Sequence, residues 1–308
     1  MYDNWNNPRT VLSHLACYFF FFCFSFFWWS ENLNNFLSIP TCLFLILFFG
    51  ISHGALDHIK GKKLLKTYKI KNILFFYVIY ILISFLILIF WIFIPTITLS
   101  FFLLIAAYHF GKEDSEIMKP KKNKFLNFIF LIKGSLIILA PLFYKFNETV
   151  ALFEILNFNI NIFDYKNLIE IFFYLSLFSN VYFLIENVEE NYDFITFDLL
   201  TINLLFYLLS PLAAFTLYFC FIHSLRHTLS LSDQLDKKNL KKGFKKFFFK
   251  AIPLTMITAF LFLIFVYILN IYYTFNESIL KVIFIGLASL TFPHILLEYL
   301  LEKNEKQT

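Results

Sequence analysis

Long apolar segments alternate with short polar segments along almost the whole chain, and this alternation limits what the chain can fold into. About 17–25 consecutive apolar residues are enough for one helix to cross a bilayer. Two of the apolar segments, 96–110 and 195–209, are shorter than this guide. The pattern predicts an all-α, polytopic transmembrane helical bundle of about ten helices. The predicted spans are approximately 11–29, 37–57, 73–94, 96–110, 125–144, 167–185, 195–209, 211–230, 249–273 and 278–301.

The composition excludes a soluble globular domain. Of the 308 residues, 59% are hydrophobic and only 15% are charged, which is far too apolar for a soluble fold. The segment 145–166 is too polar to span the bilayer, and we expect an interfacial helix there. The first apolar segment has no cleavage site of small residues, which favours a retained transmembrane helix. No repeat, linker or second domain is recognisable, so we predict one integral membrane domain over residues 1–308.

Lysine-rich segments follow the second, fourth and eighth predicted spans. Because these exits are all even-numbered, the three segments share one side of the membrane, and their positive charge makes that side cytoplasmic. By the same count we predict cytoplasmic N- and C-termini in a multi-pass protein of the cell inner membrane. The net charge of +5 then reflects topology and does not indicate nucleic-acid binding. The lysines are Lys60, Lys62, Lys63, Lys66, Lys69 and Lys71, then Lys112, Lys119, Lys121, Lys122 and Lys124, then Lys237, Lys238, Lys241, Lys242, Lys245 and Lys246.

Six of the seven histidines lie at or near membrane depth, where ionisable side chains are costly and usually functional. His223 and His227 are four residues apart, so on a helix they share one face and can reach one metal ion. His53, His109 and His294 occur in three other apolar segments. Counted from the outer end of each span, these five side chains lie ~18–24 Å deep. A depth shared by four separate helices indicates one common site.

Carboxylates accompany these histidines in the sequence. Asp57, Asp114 and Glu298 lie close to them. A single buried histidine more often satisfies a hydrogen-bond partner than binds a metal, but several histidines together with nearby carboxylates favour a metal centre. His58, about one turn beyond His53, lies at the cytoplasmic boundary of its span. The four cysteines fall inside apolar segments without CxxC spacing, and we interpret them as small buried hydrophobic residues.

The ligand types restrict the metal without identifying it. Imidazole nitrogens without thiolates suit zinc, copper and non-haem iron. Two other classes of histidine-rich membrane protein also remain open: a di-iron desaturase or hydroxylase, and a non-enzymatic haem-binding or transport protein. The di-iron families resemble HxxxH combined with two HxxHH boxes, and this chain has no adjacent histidine pair. Haem binding would use paired histidines on facing helices, and a visible spectrum distinguishes the three cases.

Four motifs occur in order over about residues 50–300. They are His53-Gly54-Ala55-x-Asp57-His58, Tyr108-His109-Phe110-Gly111 followed by Asp114, His223-Ser224-x-Arg226-His227, and Pro293-His294 followed by Glu298. This set resembles the Brp/Blh family of bacterial and archaeal β-carotene 15,15′-dioxygenases. The resemblance implies an integral membrane catalytic domain that uses Fe(II) and O2 to cleave the central double bond of β-carotene into two all-trans-retinal molecules. It further implies a functional link to a retinal-binding rhodopsin, and iron ligands at His53, His109, His223 and His227.

The other polar residues of the motifs are predicted to orient the ligands or to face the substrate. His58 lies a turn away from His53 and is rotated from it, so without a break in the helix one ion cannot be reached by both. His294 is also placed outside the ligand set, although Pro293 could bend its helix toward the site. The predicted orienting or substrate-side residues are Asp57, His58, Asp114, Arg226, His294 and Glu298.

Overall fold

The computed structural model describes residues 7–26, 36–116, 124–186 and 188–305, with the side chains of residues 9, 51–53, 116, 188–194 and 305 left outside the description. Within these ranges the chain is all-helical, as predicted, and contains no β-strand. Two π-helical segments, Ile46–Gly50 and Tyr218–His223, and two 3₁₀ segments, Ile51–Leu56 and Ile162–Tyr165, interrupt the α-helices. The helices are α1 (Pro8–Ser25), α2 (Ile39–Leu45), α3 (Asp57–Thr67), α4 (Leu74–Phe93), α5 (Pro95–Glu116), α6 (Leu126–Gly134), α7 (Leu136–Tyr144), α8 (Phe146–Ile155), α9 (Lys166–Glu186), α10 (Val188–Leu208), α11 (Pro211–Leu217), α12 (Ser224–Leu235), α13 (Leu240–Leu269) and α14 (Phe275–Glu305).

Six helical runs of the described chain are long and apolar enough to cross a membrane. They are Ile39–Thr67, Leu74–Phe93, Leu126–Tyr144, Ile162–Glu186, Leu240–Leu269 and Phe275–Asn304. Two further apolar helices, Thr10–Ser25 and Ile195–Leu208, are shorter. The count of ten spans and the cytoplasmic position of both termini stay predictions.

Two predicted spans are longer in the structure than hydropathy indicated. The short predicted span 96–110 belongs to α5, which continues to Glu116. Hydropathy ends this span early because charged residues follow, but Glu113 and Asp114 are buried inside the bundle. The predicted span 195–209 lies in α10, which begins at Val188. The polar segment 145–166 contains a helix as expected, namely α8.

A close crossing of α5 and α6 positions the helix that carries His109. A Cβ atom added to Gly111 would overlap the backbone carbonyl of Phe130, and one added to Gly134 would overlap the carbonyl of Ala107. Backbone atoms cannot move aside as a flexible side chain can. These two glycines therefore permit the close approach of the two helices, as small residues commonly do in membranes.

Two π-helical segments face each other beside the histidine motifs. Ile46–Gly50 leads into the 3₁₀ segment that contains His53, and Tyr218–His223 ends at a histidine. The buried Ser224 hydroxyl donates a hydrogen bond of 3.2 Å to the Gly50 carbonyl and joins the two segments. Such π-helical insertions recur at functional sites. Both irregular segments lie next to the residues that the sequence analysis singled out.

Helices α4 and α13 form an apolar outer wall. Only 11% of the most apolar stretch of α4 and 22% of that of α13 is buried inside the protein. Large apolar side chains such as Phe85 and Phe260 are exposed. A helix that is apolar on all sides is typical of a membrane span. We therefore expect these two helices to face lipid.

Candidate metal centre

Histidine side chains from α5, α12, α14 and the π-helical segment preceding α12 converge in the interior of the bundle. The ring centroids of His109 and His223 are 5.2 Å apart, and those of His109 and His294 are 5.4 Å apart. The ring centroid of His227 is 5.7 Å from that of His294. All four side chains are buried. The structure thus brings together three of the four predicted ligands and adds His294 to them.

Glu113 lies among three of these imidazoles, and the sequence analysis missed it. Its Oε2 atom is 2.8 Å from Nε2 of His109 and 3.3 Å from Nε2 of His223. Its Oε1 atom contacts Nδ1 of His227. Glu113 follows His109 by four residues, so both side chains project from one face of α5. This spacing was the signal that could have identified Glu113.

Two aspartates hold two of the rings from behind. Nδ1 of His223 donates to Asp114 at 3.1 Å, and Nδ1 of His294 donates to Asp57 at 2.8 Å. In each ring the Nδ1 atom is thereby fixed and the Nε2 atom is directed elsewhere. Metal-binding histidines usually have this arrangement, because a carboxylate on the second nitrogen fixes the tautomer and the ring orientation. Asp57 and Asp114 therefore lie where they can orient these two rings, and their role in orienting metal ligands stays a prediction.

Glu298 and Lys60 form the opposite edge of the cluster. Glu298 lies four residues after His294, and its Oε1 atom is 3.7 Å from Nε2 of that ring. Its Oε2 atom is 3.9 Å from Nδ1 of His109. Lys60 donates to Glu298 at 2.7 Å and lies 3.4 Å from Nε2 of His227. Lys60 was counted only as a loop lysine in the sequence analysis, yet its charge offsets that of Glu298 beside the histidines.

Arg226 supports the site from a second polar network. It pairs with Asp198 of α10 and approaches Asp114 at 3.7 Å. The Tyr218 hydroxyl also donates to Asp114, at 2.7 Å. A buried charge is tolerated when it is paired and hydrogen-bonded, and these partners hold Asp114 in position behind His223. Asp198 and Tyr218 were not predicted; an aspartate inside the apolar segment 195–209 was the available signal.

The structure describes the side chain of His58 but not that of His53. The backbone of His53 lies in the 3₁₀ segment Ile51–Leu56, but its side chain is outside the described residues, so its role as a ligand stays a prediction. Nδ1 of His58 lies 3.0 Å from the Ala55 carbonyl. The His58 ring borders an apolar cavity, and its place on the substrate side stays a prediction.

The cluster has the ligand chemistry of a transition-metal site. His109, Glu113, His294 and Glu298 each offer one ligand atom, and these atoms all lie within 4.8 Å of one another. Atoms bound ~2.0–2.2 Å from one ion can be at most ~4.4 Å apart, so small side-chain movements suffice to bring them onto one metal. Imidazole and carboxylate ligands without thiolate suit non-haem iron, and also zinc.

An apolar cavity of about 360 Å³ reaches the cluster. It lies between α4, α13 and α14, and His294, Asp57 and His58 border it. The Tyr80 hydroxyl, also in its wall, donates to Asp57 at 3.0 Å. Apolar residues such as Phe262 line the rest. This arrangement, a buried polar cluster beside an apolar cavity, fits a hydrophobic ligand.

Comparison with known proteins agrees with the site. The profile of the family described as beta-carotene 15,15'-dioxygenase matches residues 44–302 of the chain. The chain belongs to this family. It is also 32% identical, over 256 residues, to the beta-carotene 15,15'-dioxygenase of uncultured marine bacterium 66A03; the matched region covers 83% of this chain and 90% of that relative.

Family membership makes this chain an enzyme, an oxidoreductase of the dioxygenase type. Every residue of the histidine and carboxylate cluster lies inside the matched range. The first helix, which carries none of the motifs, lies outside it. No solved structure matches the chain. The match favours the dioxygenase interpretation over a di-iron desaturase or a haem-binding protein.

Proposed function

We propose that this protein is a membrane-embedded non-haem Fe(II) dioxygenase that cleaves the central 15,15′ double bond of β-carotene with O2 and releases two all-trans-retinal molecules. The observation that carries the proposal is the buried histidine and carboxylate cluster at the border of an apolar cavity, in a chain that belongs to the β-carotene dioxygenase family. In this reaction one C=C bond breaks, two C=O bonds form, and both atoms of one O2 enter the products.

The proposed metal centre combines the predicted histidines with two residues that the geometry adds. His109, His223 and His227 remain ligands in the proposal, and His53 is retained from the sequence prediction. His294 joins them because its Nδ1 atom is held by Asp57 and its ring lies 5.4 Å from that of His109 and 5.7 Å from that of His227. Glu113 contributes a carboxylate that contacts three of the imidazoles. More candidates than one ion needs are present, and single substitutions rank them.

Iron in such a centre would activate O2 at a position next to the substrate double bond. The residues of the chain fix the geometry around it. Asp57 and Asp114 hold the rings of His294 and His223, so that little reorganisation is needed when the metal binds. The charge of Glu113 and Glu298 offsets that of the metal, and the Lys60 ammonium beside Glu298 limits the excess of negative charge. Burial of the cluster excludes bulk water from reactive species.

The cavity gives the substrate a route that avoids water. β-Carotene dissolves in the bilayer, and the walls formed by α4 and α13 carry exposed apolar side chains there. Entry between these helices would bring the polyene to His294 without extraction into water. Cleavage at the centre requires that equal lengths of polyene extend on both sides of the metal. The depth of the cavity would then set which bond is cleaved.

We further propose that the enzyme acts in the cell inner membrane and supplies retinal to a rhodopsin. The six membrane-spanning candidates support a membrane location, and the relative with the same family name comes from a bacterium. Retinal is hydrophobic and would pass to an acceptor protein through the bilayer. The link to a rhodopsin is functional and requires no contact between the two proteins.

The proposal is tested with purified protein reconstituted with iron. Incubation with β-carotene under isotopically labelled O2 should give retinal as the only carotenoid product, with label in the aldehyde of both halves. Label in only half of the aldehydes would indicate a monooxygenase and would contradict the proposal. The visible spectrum of the same sample should lack the Soret band of a haem protein and the absorption bands of a di-iron centre.

A further inference from the structure

The cavity next to the cluster has one polar end and one apolar end. Phe262 of α13 packs against Gly286 of α14: a Cβ added to Gly286 would lie 2.8 Å or less from two atoms of the Phe262 ring. These two helices are consecutive and antiparallel. Thr255 lies seven residues, or about two turns, before Phe262 on α13, and Pro293 lies seven residues after Gly286 on α14. Thr255 is therefore at the level of Pro293, the residue that precedes His294. Thr255 and His294 both line the cavity, so together they form its polar end.

The hydroxyl of Thr255 distinguishes this end from the rest of the wall. The residue is only 8% exposed, and its Oγ1 atom has no hydrogen-bond partner in the described part of the chain. Other hydroxyls of the wall are satisfied locally: Thr258 donates to the Leu254 carbonyl at 2.9 Å, and Ser289 donates to the Gly286 carbonyl at 2.8 Å. A buried hydroxyl without a partner is unfavourable, which points to a ligand that supplies the acceptor.

The other end of the cavity suits a hydrocarbon ring. Phe262, Phe265 and Leu88 line it, and Phe262 is almost completely buried. Phe265 is exposed on the outer wall, so this end borders the surface that we expect to face lipid. A ligand that fits both ends is an elongated apolar molecule with a ring at one end and a single hydrogen-bond acceptor at the other.

The size of the cavity corresponds to half of the proposed substrate. Its wall along α13 runs from Thr255 to Phe265, which is ~15 Å of helix. A whole β-carotene molecule is about as long as the ~30 Å hydrocarbon core of a bilayer. The volume of about 360 Å³ is near the lower limit of small-molecule sites, ~300 Å³. The wall along α13 therefore covers about half the length of the carotenoid.

We propose that this cavity is a binding site for one molecule of retinal, with the ring toward Phe262 and the aldehyde oxygen accepting a hydrogen bond from Thr255. The proposal rests on the proposed function, because retinal is the product of that reaction. Before cleavage the same space holds one half of β-carotene, which has no oxygen for Thr255 to bind. After cleavage the new aldehyde supplies the acceptor. Thr255 therefore retains the product and contributes nothing to substrate binding.

The test compares three variants of the full-length, iron-loaded protein in detergent. Thr255→Val removes the hydroxyl with little change of volume. Thr258→Val is the matched control, because its hydroxyl is on the same helix and is satisfied by its own backbone. Thr255→Ser keeps a hydroxyl. All-trans-retinal is the probe, and its dissociation constant is measured by quenching of protein fluorescence, together with its inhibition constant against β-carotene cleavage.

Thr255→Val loses one neutral hydrogen bond, so it should bind retinal about 3–10-fold more weakly than the unmodified protein. Thr258→Val and Thr255→Ser should bind retinal as the unmodified protein does. The iron content and the ratio of retinal affinity to the affinity for a hydrocarbon analogue without the aldehyde oxygen distinguish the cases: only Thr255→Val should lower this ratio, and all variants should keep their iron. Equal retinal binding by Thr255→Val and Thr258→Val would overturn the proposal.

The two proposals can fail separately. Protein that binds retinal in a Thr255-dependent manner but leaves β-carotene intact would support the binding site and contradict the proposed function. Protein that cleaves β-carotene but binds retinal equally well with and without the Thr255 hydroxyl would contradict only the binding site. A protein with no measurable affinity for retinal would also overturn the binding site, whatever its activity.

Discussion

Asp57 accepts a hydrogen bond from Nδ1 of His294, with its two carboxylate oxygens 2.9 Å and 2.8 Å from that nitrogen, although 237 residues separate the two in sequence. The pair joins the start of α3 to the second half of α14, and both side chains are buried. Tyr80 donates to the same carboxylate, so three elements of the bundle meet at one aspartate. A carboxylate in this position fixes the ring and makes its other nitrogen a better ligand.

Replacing Asp57 by Asn should weaken iron binding by about 10–100-fold, the usual effect of losing a carboxylate behind a metal-binding histidine. The amide keeps the shape of the side chain but removes the charge that supports the His294 ring. Iron retained per protein after dialysis against a graded chelator measures the change. Asp164→Asn, at an exposed aspartate, is the control, and equal iron retention by the two variants would contradict the orienting role of Asp57.

Glu113→Gln should lose most of its iron and its activity together. The Glu113 carboxylate contacts the imidazoles of three histidines, His109, His223 and His227. A neutral amide is a poorer ligand for a divalent metal than a carboxylate. Glu148→Gln changes an exposed glutamate on α8 and should keep both. Metal analysis and retinal formation are measured on the same samples; full iron content in Glu113→Gln would exclude Glu113 as a ligand.

His294→Ala and His58→Ala should differ, although the sequence analysis placed both residues outside the ligand set. The His294 ring lies within 5.4–5.7 Å of those of His109 and His227, so its loss should remove iron. His58 lies against the Ala55 carbonyl and borders the cavity, so its loss should leave iron in place and alter the KM for β-carotene. Iron content is the deciding measurement, and an iron-loaded His294→Ala protein would return His294 to the residues outside the ligand set.

Gly111→Ala should destabilise the protein, whereas Gly54→Ala should not. A methyl group on Gly111 overlaps the Phe130 backbone, but one on Gly54 meets only Asp57 Oδ2, at 3.9 Å. Overpacking of this kind typically costs ~1–3 kcal/mol. The apparent melting temperature in detergent should therefore fall for Gly111→Ala only. Equal melting temperatures would mean that α5 and α6 do not cross as closely as described.

Hydropathy predicted the all-helical architecture but not where every helix ends. Apolar segments identify helices, but they cannot identify the end of α5, where Glu113 and Asp114 are buried among partners contributed by other helices. A hydropathy scale assigns each residue an affinity for water and takes no account of the partners that the residue meets in the folded protein. For the same reason the sequence could not reveal that Lys60, one of several lysines after the second predicted span, pairs with Glu298 inside the bundle.

The sequence predicted that the histidines form one cluster, but it did not predict every residue of that cluster. The shared depth of the histidines indicated one cluster, and the structure brings His109, His223, His227 and His294 together. Depth set His58 apart at the cytoplasmic boundary, but it does not specify rotation about a helix axis, so it could not show that the His294 ring faces the cluster. Asp198 was missed because its partner Arg226 lies in another helix, and no local spacing connects them.

The most direct measurement of the central claim is made in cells that accumulate β-carotene. Expression of the chain should bleach the cells and yield all-trans-retinal, identified by chromatography. An equally expressed Glu113→Gln variant should leave the colour unchanged. Cells that stay coloured and contain no retinal, while the purified protein is folded and loaded with iron, would contradict the claim that this chain is a β-carotene-cleaving dioxygenase.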